Sequence, residues 1–103
     1  MSVAELPIRL ERDLIAEFCR ARGIRKLSLF GSVLRDDFDP ARSDVDVLAE
    51  FSPGALDGVG LRYFGYGDEL SAILGYPVDF CSKLNKYIAD TVRHEAVTVY
   101  EQP

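Results

Sequence analysis

Cysteine, histidine, long apolar runs and positive charge are all scarce in this chain of 103 residues. The two cysteines, Cys19 and Cys81, supply neither a disulfide framework nor a metal-spacing pair. One falls in a helical pattern and the other at the end of a strand pattern, so both read as small core residues. The single histidine, His94, reads as a helix-surface residue rather than a ligand. No apolar run approaches the roughly 20 residues that span a bilayer. Early charges at Glu5, Arg9, Glu11, Arg12 and Asp13 leave no signal-peptide core, and a cytoplasmic location is expected. Twelve Lys and Arg stand against 17 Asp and Glu, a formal net charge of -5. Such a chain repels a polyanionic duplex unless its basic residues are segregated. Arg20, Arg22, Arg25 and Lys26 form the one basic cluster, and it reads as a solvated face placed away from the stretch described below.

What is present suits one soluble domain over residues 1–103, 48% hydrophobic and 28% charged, with room for a single core. From Arg9 to Arg22, Leu10, Leu14, Ile15, Phe18 and Ala21 recur at helical spacing, and Gly23 suits the stop. Lys26 to Phe30 reads as a buried strand ended by Gly31-Ser32, with a short helical turn to Arg35 and a loop over 36–42 punctuated by Pro40. Val45, Val47 and Ala49 mark a second strand, closed by Ser52-Pro53-Gly54. Between 57 and 74, a helix is expected from about Arg62. Gly58, Gly60, Gly65 and Gly67 make its first part irregular, each costing up to about 1 kcal/mol in a helix interior. Val78 to Cys81 is a third strand, Tyr87 to Ala96 a final helix, and Val97 to Tyr100 an extended tail or edge strand. This order predicts an α/β (α+β) fold, a small mixed sheet covered by helices.

The chemistry concentrates in Leu29-Phe30-Gly31-Ser32-Val33-Leu34-Arg35 and Ser43-Asp44-Val45-Asp46-Val47. Residues i and i+2 of a strand share a face, so Asp44 and Asp46 are expected to project together. Asp79 is a third aspartate on a strand pattern. If the three converge, a divalent cation such as Mg²⁺ is their natural partner, because it takes hard oxygen ligands and shares its shell with phosphates. Two such ions could clamp a phosphoryl displacement. Gly31 and Ser32 would let backbone and hydroxyl approach phosphate oxygens, with Arg35 neutralising charge. Asp-x-Asp alone is common on solvated strands, and Asp79 could be an exposed edge position. The full succession of strand, Gly-Ser, Asp-x-Asp strand, helix and strand with Asp is far more specific.

With these motifs the sequence resembles the nucleotidyltransferase superfamily of DNA polymerase beta type, and within it the minimal nucleotidyltransferases, antitoxin halves of HEPN–MNT toxin–antitoxin pairs. The resemblance runs from Leu27 to Glu101. Phe30-Gly31-Ser32 with Arg35 matches the Gly-Ser motif, Ser43-Asp44-Val45-Asp46-Val47 the Asp-x-Asp strand, and Gly75-Tyr76-Pro77-Val78-Asp79-Phe80 the third-carboxylate strand. It implies that Asp44 and Asp46 bind two Mg²⁺ ions and that Asp79 binds the catalytic one and assists as base. It implies that Gly31, Ser32 and Arg35 hold the triphosphate of ATP. It further implies that AMP passes to a tyrosine of an adjacently encoded HEPN RNase toxin, held in a hetero-oligomer. No direct nucleic-acid contact is expected of so acidic a chain.

Two features depart from the family pattern: Asp36 after Arg35, where an Ala-Arg-Gly run is usual, and the four glycines within 57–67. Tyr63, Phe64 and Tyr66 read either as core or as a partner surface. Two other functions compete with protein adenylylation: a catalytically silent module that neutralises its partner by contact, and transfer to a small molecule. The chain has little material for a second domain to hold a small acceptor, which ranks that reading last.

Overall fold

A computed structural model describes residues 6, 8–34, 38–39, 41–82 and 89–102. Leu6, Ile8 and Leu10 lead in with every second side chain turned to the core, so the chain is pinned before the first helix starts. Helix α1 therefore spans Arg12–Arg22, three residues later than the periodicity predicts. Its buried stripe is Ile15, Phe18 and Cys19, while Leu14 remains 48% exposed. The apolar pair Leu14-Ile15 leaves the helix phase open by one residue, and packing against the sheet selects Ile15.

Strand β1 (Ile24–Phe30) starts earlier than expected because Ile24 is also buried. A register shift between Ile24 and Lys26 inserts Arg25 as an extra residue, which puts both Ile24 and Leu27 on the core face despite their odd spacing. A 3-10 turn over Gly31–Leu34 follows, then β2 (Val45–Phe51), a second 3-10 stretch (Gly60–Gly65), α2 (Tyr66–Leu74), β3 (Val78–Cys81), α3 (Ala89–Glu95) and β4 (Val97–Glu101). The expected single helix from Arg62 is thus split at Tyr66, where the glycine-dense lead-in gives way to residues that hold α-helical bonding. The predicted start of the last helix, Tyr87-Ile88, lies outside the described residues.

The sheet has the order β3-β2-β1-β4, with β2–β3 parallel and the other pairs antiparallel. It is the mixed sheet expected, and the tail is an edge strand. Helix α1 lies over β1 and β4, and α2 over β3. Val45, Val47 and Ala49 meet them with Leu27, Leu29, Leu70 and Val99 in one core. Phe51, Tyr63, Tyr66 and Phe80 form an aromatic group at its edge, with ring centroids 5.9 to 6.5 Å apart. Arg22 fastens the two helices. Its guanidinium sits 4.2 Å from the Phe18 ring centroid and pairs with Glu69 at 2.9 Å. The basic cluster is accordingly part structural, since one of its members is committed to an ion pair. No helix among the described residues is long and apolar enough to cross a membrane.

Candidate active site

Register brings the carboxylates together. In the β2–β3 ladder Asp46 is the direct partner of Asp79, flanked by the pairs Val45–Val78 and Val47–Phe80. Parallel neighbours lie about 4.8 Å apart and direct matched side chains to one face. Since Val45 and Val47 point into the core, Asp46 and Asp79 stand on the other face. Asp46 is half-buried and Asp79 exposed on the edge strand. Asp44 lies one residue ahead of β2 and is exposed, so it joins the pair from the loop rather than from the strand itself.

Local hydrogen bonds hold these three segments. The Ser32 hydroxyl donates to the Asp44 carbonyl at 3.2 Å, and the Val45 N–H donates to the Pro77 carbonyl at 2.8 Å. The carboxyl of Asp46 is pushed above its ordinary range, first by burial and then by the negative charge of Asp79. The Ser32 N–H, bonded to the carboxylate, opposes the shift, and Asp44 adds a smaller push upward. Like charges gathered with no counter-charge among the described residues are the donor chemistry a divalent cation fits. Among the described residues, however, no three Asp, Glu, His or Cys side chains close on a common point. The juxtaposed donors are the pair Asp46 and Asp79, with Asp44 acting at longer range.

Gly31 is demanded by this arrangement for two reasons. Its φ of 74° is in the left-handed region, which costs an L-residue about 1–2 kcal/mol. A Cβ there would also drive into the Asp46 carboxyl, with Cγ only 3.0 Å away. The glycine read from sequence as room for a phosphate is, in this structure, first of all room for Asp46. Ser32 likewise directs its hydroxyl to the Asp44 carbonyl ahead of β2 and its N–H to the Asp46 carboxyl. Arg35 and Asp36 lie outside the described residues.

One neighbour escaped the sequence reading. Cys81 is two residues beyond Asp79 on the same strand face and half-buried, not a plain core cysteine. Burial, then the charges of Asp79 and Asp46, raise its thiol above the ordinary range. Strand parity alone would have placed it beside Asp79, had the acidic face been used to assign it. Cys19 is the buried core residue expected.

A four-stranded mixed sheet backed by helices on one face, with register-matched aspartates on the other and a Gly-Ser turn against them, is the frame of a nucleotidyl-transferring domain. The nucleotidyltransferase domain family matches residues 11–99, and the chain belongs to that family. It is a nucleotidyltransferase by that membership. No curated protein matches it significantly. Among solved structures, it is similar to one described as a minimal nucleotidyltransferase, at 29% identity and a TM-score of 0.65 over 82% of this chain and 85% of the other. It is also similar in fold to a toxin–antitoxin structure with AMP-PNP, at 18% identity and a TM-score of 0.67 over 90% and 75% of the two chains. A third is the tri-AMPylated Shewanella oneidensis HEPN toxin in complex with MNT antitoxin, at 16% identity and a TM-score of 0.60 over 88% and 70%.

Proposed function

We propose that this chain is the antitoxin of a HEPN–MNT pair, a cytoplasmic enzyme that transfers AMP from ATP to a tyrosine of its HEPN partner protein. The observation that carries the reading is the direct pairing of Asp46 with Asp79, with the Gly31–Ser32 turn closed onto it. Family membership gives the reaction class. The AMP-PNP-bound and tri-AMPylated structures of similar fold favour an adenine nucleotide and a protein acceptor.

Asp44, Asp46 and Asp79 would hold Mg²⁺, which when bound supplies positive charge to the phosphate oxygens. Gly31, Ser32 and Arg35 would hold the triphosphate. The tyrosine hydroxyl oxygen bonds to the α-phosphorus, and the bond from that phosphorus to the bridging oxygen breaks. Pyrophosphate leaves, and Asp79, exposed at the sheet edge, takes the hydroxyl proton. The acidic chain and the engagement of Arg22 with Glu69 fit a protein acceptor better than a nucleic-acid one.

A contact-only antitoxin is the second reading, favoured by the absence of a three-ligand closure among the described residues. One experiment separates the two. The chain is incubated with α-labelled ATP, Mg²⁺ and the product of the adjacent reading frame, alongside Asp46→Asn. Adenylylation predicts label on a tyrosine of that product with wild type and a loss of at least about 100-fold with the variant, as befits a group acting on the reacting phosphate. Full neutralisation of the partner by Asp46→Asn, without label, would establish contact as the mechanism.

A further inference from the structure

The four-glycine segment that departs from the family pattern folds into a run of tight turns with an apolar outer surface. Backbone bonds Ala55 N–H to Ser52 O, Asp57 N–H to Gly54 O, Val59 N–H to Leu56 O and Arg62 N–H to Val59 O succeed one another at 3.0 to 3.3 Å. This scaffold presents three large apolar side chains outward: Leu61 is 84% exposed, Phe64 75% and Leu56 39%. Its neighbour Tyr63 instead turns inward to Phe51, Tyr66 and Phe80, and its hydroxyl meets the Ser82 hydroxyl at 2.6 Å. Among the described residues, Leu56, Val59, Gly60, Tyr63, Phe64 and Ser82 line a groove of about 400 Å³, and none of them is charged.

The geometry points to this groove, together with exposed Leu61 one 3-10 turn before its lining residue Phe64, as the docking surface for the protein that receives the nucleotidyl group. Three observations select that occupant, and the inference rests on the protein-acceptor reading above. First, the place: Ser82 is three residues past Asp79, about 10 Å along an extended strand. The groove lies on the helix side of β3 and exposed Asp79 on the opposite side, and β3 is a sheet edge. A partner lying against that edge reaches both at once. Second, the size: the three side chains expose on the order of 300–400 Å² of apolar surface, about half the roughly 800 Å² per partner of a stable protein interface. That is too little to hold a second copy by itself, but enough to be the apolar centre of a larger contact that also covers the acidic face. Third, the chemistry: the described lining carries no charge, and Asp57 and Arg62, of opposite sign, lie within a few residues of it in the sequence, which selects an apolar ridge of a folded protein rather than a phosphate backbone.

Phe64→Ser and Leu61→Ser are the tests, with Leu14→Ser, also an exposed leucine, as control. Binding of each to the product of the adjacent reading frame is measured by calorimetry, transfer of label to it by initial rates, and Mg·AMP-PNP binding separately. The expected result is a loss of roughly tenfold or more in partner affinity for each groove variant. KM for the protein acceptor rises by a similar factor, AMP-PNP affinity is unchanged, and Leu14→Ser matches wild type. Unchanged partner affinity in both groove variants overturns the inference. So does sedimentation showing a wild-type dimer that Phe64→Ser dissociates, because the occupant is then a second copy. If wild type binds the partner through this surface but transfers no label, the enzymatic reading fails while the docking surface stands. If wild type neither binds nor labels it, both fall.

Discussion

Replacing Asp46 by asparagine should raise the thermal midpoint of the metal-free protein. Asp46 and Asp79 are matched partners on parallel strands, so their carboxyl groups stand near the 4.8 Å strand spacing. Two unit charges about 5 Å apart at an effective dielectric near 20 repel by roughly 3 kcal/mol. Asp79 is exposed and Asp46 only half-buried, so solvent screening reduces this to about 1 kcal/mol. Asp46 meets both the Ser32 N–H and the Asp79 side chain, and an amide suits both without the charge: its oxygen accepts the N–H, and its NH₂ donates to Asp79. For a domain of this size about 1 kcal/mol corresponds to roughly 4–8 °C. The pH dependence follows from the direction of the shift. The folded carboxyl of Asp46 is raised above its ordinary 3.8, chiefly by burial and then by Asp79. The folded state therefore holds that proton more tightly than the unfolded chain does. Its stabilisation is complete below pH 3.8 and is lost as pH rises through the raised folded value. In EDTA, calorimetric scans of both proteins should nearly coincide at pH 3.5 and separate toward pH 7.5, with the variant higher. Added Mg²⁺ should raise wild type more than the variant and narrow the gap. A variant that melts below wild type at pH 7.5 in EDTA would refute the crowding of the two carboxylates.

Two further outcomes test the parts around that pair. Gly31→Ala and Gly75→Ala place a Cβ on similar left-handed backbones, at φ 74° and 80°. Only the first meets an obstacle, the Asp46 carboxyl, while nothing lies within 4 Å at Gly75. Gly75→Ala should therefore cost about 1–2 kcal/mol of stability alone, whereas Gly31→Ala costs more and also weakens Mg·AMP-PNP binding. Equal effects of the two on nucleotide affinity would show that Gly31 does not seat Asp46. The Cys19 thiol, pushed up to about 12 by burial against the smaller opposing pull of Arg22 and Arg20, should resist a disulfide reagent at pH 8 until the protein is unfolded. Half-buried Cys81, also raised, should react slowly in the native state. Prompt reaction of Cys19 in the native state would contradict the packing of α1.

Much of the frame was legible in the residues. Short-range periodicity marks β2, β3 and the body of each helix, because a side chain's face within one element depends on its own backbone. The boundaries at Arg12 and Ile24 were less legible. Each is decided by contacts from outside the element: Ile8 and Leu10 anchoring the lead-in, and the pairing with β2 that sets the bulge at Arg25 and re-phases β1. The phase of α1 was ambiguous for the same reason, since Leu14 and Ile15 are equally apolar and only the sheet distinguishes them.

By itself the sequence determined the chemistry available here: three aspartates on strand patterns, a Gly-Ser break and a surplus of negative charge. These are properties of residue type and local spacing. Tertiary structure alone decided that Asp79 stands beside Asp46 rather than elsewhere on an exposed edge. That neighbourhood is a matter of β2–β3 register across more than 30 intervening residues, and no local period encodes it. It also decided that Gly31 makes room for a carboxylate. Finally, it divided one aromatic run, with Tyr66 going to the core, Tyr63 to the β3 edge and Phe64 to solvent. Once the glycine-rich turns set the backbone, each side chain's direction follows from the elements packed against it.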